Sequence, residues 1–186
     1  VKKFCDNEVR EQCKEYDKSG EWPKEIYDKA IEQGYQALEV PEEFGGPGLS
    51  RVDVAALIEE MAIADAGFAT TISASGLAMK PVFIAGNHDQ KQKMCDLVLE
   101  GGLGAFCLTE PGAGSDASAG RTTAVKDGDE YVLNGRKCFI TNGEMASFYC
   151  ITAITDKEKG LKGISMFFVE KGTMGLSTGK HEDKMG

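Results

Sequence analysis

Between Phe106 and Gly120 the chain reads FCLTEPGAGSDASAG. Gly112, Gly114 and Ala117 satisfy G-x-G-x-x-G/A, the spacing with which a strand-to-helix turn holds a dinucleotide pyrophosphate. Such a site needs a strand before the glycines and, after them, a helix of about ten residues whose N-terminus faces the phosphates. Ala105–Leu108 can supply the strand. The following SAGRTTAVKDG holds two further glycines, two threonines and a β-branched run, and leaves no room for the helix before Asp127-Gly128. A P-loop is excluded too, because no Gly-Lys-Ser/Thr follows. These glycines need another explanation.

The loop has a specific chemistry of its own. Glu110 precedes Pro111 and is pushed toward extended backbone, and Pro111 opens a turn without an N–H. Gly112 and Gly114 permit positive φ or a close backbone approach to a ligand, and Ser115 presents a hydroxyl at the exit. Such a loop can face backbone N–H groups toward an anion or a carbonyl, or serve as a plain solvent-exposed connection. A second stretch, KCFITNG from Lys137 to Gly143, reads as a strand ending at Thr141 and followed by an Asn-Gly turn.

The elements that position these stretches have two textures. Up to about residue 100 the apolar period is helical. Phe4, Cys5, Val9, Cys13 and Tyr16 form an imperfect stripe before Ser19-Gly20. Ile26, Tyr27, Ala30 and Ile31 follow Pro23 and stop at Gly34. Ser50 and Asp53 have capping-box spacing, and Val54, Leu57, Ile58 and Met61 line one face behind them. Phe68–Ala85 is apolar nearly all round and reads as a buried helix bent or interrupted at Pro81, and Asp89–Glu100 reads as a last helix. From Leu103 the period becomes two. Strands are expected at Gly104–Thr109, Arg121–Val125, Glu130–Leu133, Lys137–Thr141, Phe148–Thr155 and Ile164–Glu170, with tight turns at Asp127-Gly128 and Asn134-Gly135. Helices followed by strands give an α+β chain: an all-α unit over 1–103 and a β unit over 104–186. The β unit stops abruptly after HEDKMG, so the chain is expected to be a fragment.

Composition narrows the function classes. The 186 residues carry a formal net charge of −9 and no basic patch, which argues against a nucleic-acid partner. The opening lacks signal-peptide character, and no uncharged apolar run nears the ~18 residues a membrane span requires. Six cysteines without a C-x-x-C pair read as buried hydrophobes of a reducing compartment, and a cytoplasmic location is expected. His88 and His181 have no partner at metal-ligand spacing, so no metal is expected. Glu42-Glu43, Glu59-Glu60 and Glu182-Asp183 read as solvated faces.

LTEPGAGSD, then LNGRKCFITNG, and finally HEDKMG occur in an order and spacing that resemble the acyl-CoA dehydrogenase family, and PEEFGG at Pro41–Gly46 extends the resemblance into the helical part. The resemblance covers essentially the whole chain and is nearest to short-chain, butyryl-type members. It implies a helical domain, a β-barrel-like middle domain and a C-terminal four-helix bundle that this chain lacks. It also implies oxidation of acyl-CoA to trans-2-enoyl-CoA: a carboxylate takes the α-proton, and the β-hydrogen leaves as hydride to N5 of FAD. An electron-transfer flavoprotein would reoxidise the flavin, and a homotetramer is the implied assembly.

By motif position the resemblance assigns Phe106, Cys107, Leu108, Thr109, Gly114 and Ser115, and on the second stretch Phe139, Ile140 and Thr141, to the flavin. Leu108 would pack on the ring system, Thr109 bond its polar edge, and the Thr141 hydroxyl lie near N5. Ser115 would bond a flavin phosphate or the pantetheine arm of the substrate. Many relatives carry Trp where this chain has Phe139. The base would come from beyond residue 186, so no catalytic acid or base is assigned here and the 186 residues alone are expected to be inactive. A short non-catalytic paralogue that binds flavin or acyl-CoA, and a flavin oxidase of the same fold, are the competing interpretations.

Overall fold

The computed structural model describes residues 1–184. Helices α1 (Lys2–Phe4) and α2 (Cys13–Ser19) flank a π-helical stretch, Cys5–Val9. Cys5, Val9 and Cys13 are all buried, and their spacing of four would drift off one face of a helix with 3.6 residues per turn. The wider π turn keeps them aligned. Gly20, in the left-handed region at φ 69°, ends α2. Helix α3 (Lys24–Glu32) begins after Pro23 and buries Ile26, Tyr27 and Ala30.

Helix α4 (Arg51–Ala64) starts on the expected capping box: the Asp53 amide donates to Ser50 Oγ, and the Ser50 amide donates to the Asp53 carboxylate. Helix α5 (Ala66–Ala85) runs through Pro81 as one element of 20 residues, not two. By length and composition it is apolar enough to cross a bilayer, with mean hydropathy 1.3. Lys80 interrupts its uncharged run. Half of that stretch is buried inside the fold. Helix α6 (His88–Leu99) is capped by Asn87.

The second half forms a mixed five-stranded sheet from β1 (Leu103–Cys107), β2 (Thr123–Asp127), β3 (Glu130–Asn134), β4 (Ala146–Ile154) and β5 (Ile164–Glu170). Strand β4 is its axis. Antiparallel β5 lies along one edge, while parallel β1 and then Thr123 of β2 share the other. Strands β2 and β3 form a hairpin closed at Gly128, whose φ is 59°. The expected order of a helical unit followed by a β unit is therefore what the chain forms.

The two halves share a core. Met79, Val82, Met94 and Val98 of α5 and α6 pack with Phe148 and Cys150 of β4. Gly104 makes the approach of β1 to α5 possible, since a Cβ there would lie 2.5 Å from the Phe148 ring and 2.9 Å from Ala78. Five of the six cysteines are buried and Cys138 is half-buried; all six are free. Burial pushes the thiols of Cys13, Cys107 and Cys150 up to about 12, so they behave as apolar groups at neutral pH.

Two sequence expectations fail in this half. Lys137–Thr141 is not a strand: Phe139 has φ 56° and Asn142 φ 64°, so the segment twists out of any ladder. Asn134-Gly135 is not a tight turn either. Gly135 passes so close to Thr122 that a Cβ would sit 2.3 Å from its hydroxyl oxygen, and close approach is what the glycine provides there.

Candidate cofactor site

The site is built where the two marked stretches meet. Beyond β1 the first stretch leaves the sheet at Leu108 and closes on itself. The Glu110 amide donates to Ala113 O at 3.1 Å, and the Ala113 amide donates to Glu110 O at 3.0 Å. Gly112 and Gly114 need no positive φ, and nothing lies within 4 Å of a Cβ built on either. The fold itself therefore does not demand glycine at these positions. After Ser115 comes a single 3-10 turn, Ala117–Ala119, rather than a helix. The dinucleotide-fingerprint match is accidental, as the sequence implied.

The second stretch is stitched to the first. The Cys138 amide donates to Thr109 O at 2.9 Å. One residue earlier, Lys137 Nζ donates to Leu108 O at 3.2 Å, to Glu110 Oε1 at 2.7 Å and to Thr152 Oγ1 at 2.9 Å. The Glu110 carboxylate also accepts from the amides of Arg121 at 2.6 Å and Thr122 at 3.1 Å. Burial works against ionisation of Glu110, but the hydrogen bonds from Lys137 and these amides outweigh it and hold the carboxyl at about 2. Leu108, Glu110, Lys137 and Thr152 line one wall of a cavity of about 110 Å³.

Two residues on, Phe139 turns its ring outward, 60% exposed. A bulky residue at positive φ is an outlier that costs about 1–2 kcal/mol. Ile140 to Gly143 then form a β-turn, with the Gly143 amide donating to Ile140 O at 3.1 Å and the positive φ at its third residue, Asn142. The tail after β5 folds back over this turn. Lys184 Nζ sits 5.6 Å above the Phe139 ring, His181 meets the Glu144 carboxylate, and Lys171 Nζ donates to Glu144 O at 2.9 Å. Of the HEDKMG segment, Met185 and Gly186 lie outside the described residues.

The residues singled out from the sequence fall into two groups. Phe106 is half-buried against the Phe148–Cys150 cluster, Cys107 is buried, and Ile140 packs against the cluster that includes Ala105 and Tyr149. Leu108 and Thr109 are half-buried where the stretches join, whereas Gly114, Ser115, Phe139 and Thr141 face outward. Among the described residues the hydroxyls of Thr109, Ser115 and Thr141 have no hydrogen-bond partner. The Glu110–Lys137 pair was missed. Its sequence signal is weak: Lys137 stands directly before the run CFIT, and Glu110 directly before Pro111.

Comparison with known proteins decides the ancestry. Residues 1–102 match the acyl-CoA dehydrogenase N-terminal domain, and residues 105–186 match the acyl-CoA dehydrogenase middle domain.

This chain belongs to the acyl-CoA dehydrogenase family.

Within that family it is 43% identical over 98% of its length to a short-chain-specific acyl-CoA dehydrogenase of Megasphaera elsdenii, of which it covers 49%. A solved structure described as an electron transferring flavoprotein of Acidaminococcus fermentans superposes with a TM-score of 0.94 at 44% identity, over 100% of this chain and 49% of that one. A glutaryl-CoA dehydrogenase from Mycobacterium smegmatis in complex with FADH2 superposes with a TM-score of 0.88 at 28% identity, over 99% of this chain and 47% of that one. The chain spans about half the length of the curated relatives it matches. The acyl-CoA dehydrogenase family resemblance of the loop, the turn and the helical part thus extends to the fold.

Proposed function

We propose that this chain is the helical and middle portion of an FAD-dependent acyl-CoA dehydrogenase, and that the junction of its two stretches is the flavin shelf. The observation that carries this is the stitching of Thr109 O to the Cys138 amide. It joins the loop that carries Thr109 to the segment that leads to Thr141, residues 32 positions apart in the sequence. The complex of a relative with FADH2 supports the cofactor.

The residues present fit such a group. Among the described residues three hydroxyls have no hydrogen-bond partner, two glycines leave the backbone of the loop open, and the Phe139 ring is exposed. Thr109 and Thr141 would hydrogen-bond the polar edge of the ring system, and Phe139 would cover an apolar face and exclude water. Ser115 and the backbone at Gly112 and Gly114 would hold phosphate or the pantetheine arm of an acyl-CoA. When bound, the flavin supplies the acceptor for the β-hydride.

Glu110 is not the base. Its carboxylate is committed to Lys137 and two backbone amides and is held at about 2, far too weakly basic to take an α-proton. The base is assigned to the remainder of the enzyme, beyond residue 186. An electron-transfer flavoprotein as oxidant and a homotetrameric assembly complete the proposal, and the similarity to the Acidaminococcus structure supports the first.

The test is to express the complete polypeptide and add butyryl-CoA without oxygen. A yellow protein whose flavin absorbance bleaches as enoyl-CoA forms is the expected result. A colourless protein that neither takes up FAD nor forms enoyl-CoA would contradict the proposal.

A further inference from the structure

Asn142 joins the Ile140–Gly143 turn to the helical half, and it does so with one end of its amide unsatisfied. Its Nδ2 donates to Thr71 O on α5 at 2.9 Å and to Gly104 O on β1 at 3.1 Å. Both neighbours are acceptors, so the orientation of the amide is fixed by chemistry: only the NH2 can face them. The other end, Oδ1, is buried and has no donor among the described residues. An amide held with one end unsatisfied is costly, so the two bonds it does make must be what the site requires.

The backbone argues the same way. At φ 64°, the third position of this turn suits glycine or asparagine. Glycine would serve the turn alone; asparagine serves the turn and the clamp. Gly104, at the centre of the node, also donates its amide to the buried hydroxyl of Ser75, one turn along α5 from Thr71. Helix α5, strand β1 and the turn are thereby tied at a single buried point. Thr141 is the residue immediately before the clamp, and Phe139 lies three before it.

We infer that Asn142 is a positioning residue: it fixes the height and angle of the Phe139–Thr141 segment relative to α5, and so the geometry with which the shelf meets the flavin. This rests on the flavin assignment above. Asn142 itself touches no reacting atom. A substitution should therefore alter how the cofactor sits more than whether the protein folds, because displacement of a positioned group by about 1 Å can cost on the order of a hundredfold in rate.

The experiment uses the complete flavoprotein with three variants. Asn142→Gly keeps the turn backbone and removes the clamp. Asn142→Asp keeps the shape but turns a second oxygen toward the two carbonyls. Ser75→Ala removes the other arm of the node without touching the turn. The readouts are the visible circular dichroism of the flavin, the rate of its reduction by butyryl-CoA in stopped flow, the dissociation constant of butyryl-CoA, and Tm. Expected for Asn142→Gly is a changed flavin dichroism band and a reduction rate lowered by about tenfold or more, with acyl-CoA affinity within about threefold. Asn142→Asp should be worse, and Ser75→Ala should lower Tm while leaving the dichroism band in place.

Wild-type dichroism and reduction rate in Asn142→Gly would overturn the inference, as would Ser75→Ala perturbing the flavin as much as Asn142→Gly does. A wild-type polypeptide that holds no FAD would instead sink the flavin assignment and this inference with it. The two failures are thus told apart by the wild type.

Discussion

The Lys137 ammonium and the Glu110 carboxylate lie 2.7 Å apart with side chains only 11% and 6% exposed, and this pair locks the two stretches of the site together. Each charge is also hydrogen-bonded to neutral groups: Leu108 O and Thr152 for the lysine, the Arg121 and Thr122 amides for the glutamate. A buried ion pair is stable only when its remaining hydrogen-bonding capacity is met in this way.

Removing one partner should therefore be severe. Lys137→Met leaves a buried, uncompensated carboxylate, and breaking such a pair costs about 3–5 kcal/mol. Glu110→Gln keeps the shape and one oxygen that can still accept from Lys137 and the Thr122 amide, so it should cost less even though the Arg121 amide loses its acceptor. Urea denaturation of the two variants tests the order. Equal, small losses would mean that the pair does not hold the stretches together.

The same pair sets an acid limit. The folded Glu110 carboxyl titrates at about 2, against an unfolded value near 4.3. A lowered folded value contributes stability that is fully present above about 4.3 and is lost as pH falls through about 2, an effect on the order of 3 kcal/mol. Urea midpoints measured from neutral pH down should fall across that window in wild type and fall less in Glu110→Gln. Parallel curves would assign the acid sensitivity elsewhere.

Gly112→Ala and Gly114→Ala should separate folding from binding. Neither residue has positive φ and neither would crowd a Cβ. Alanine should therefore leave Tm unchanged or raise stability by about 0.4–1 kcal/mol through the unfolded chain, while weakening FAD retention. A fall in Tm with normal flavin content would show that the glycines serve the fold.

Thr141→Ala removes one hydroxyl from an exposed position. Flavin reduction in the complete enzyme should slow by about tenfold or more while acyl-CoA binding changes little, since the lost bond matters where charge develops. Unchanged reduction kinetics would remove Thr141 from the shelf.

What the sequence made legible was local. The Ser50–Asp53 box, the apolar face behind it and the Gly128 hairpin are each specified by residues a few positions apart, and all form as expected. Lys137–Thr141 misled because Phe139, Ile140 and Thr141 are aromatic and β-branched residues that favour strands. Two long-range constraints override that pattern: the Glu110 carboxylate, 27 residues upstream, draws Lys137 inward, and Asn142 reaches back to α5 and β1. Phenylalanine at positive φ has no propensity signal at all, because the surrounding structure imposes it. The motifs mark two stretches that the fold joins; the bonds that join them are visible only in three dimensions.

The most direct test is a crystal structure of the complete polypeptide grown with FAD. The isoalloxazine should lie along Phe139–Thr141, with the hydroxyls of Thr109 and Thr141 at hydrogen-bonding distance, about 3 Å, from its polar atoms. A flavin bound elsewhere, with those two hydroxyls still facing solvent, would contradict the shelf.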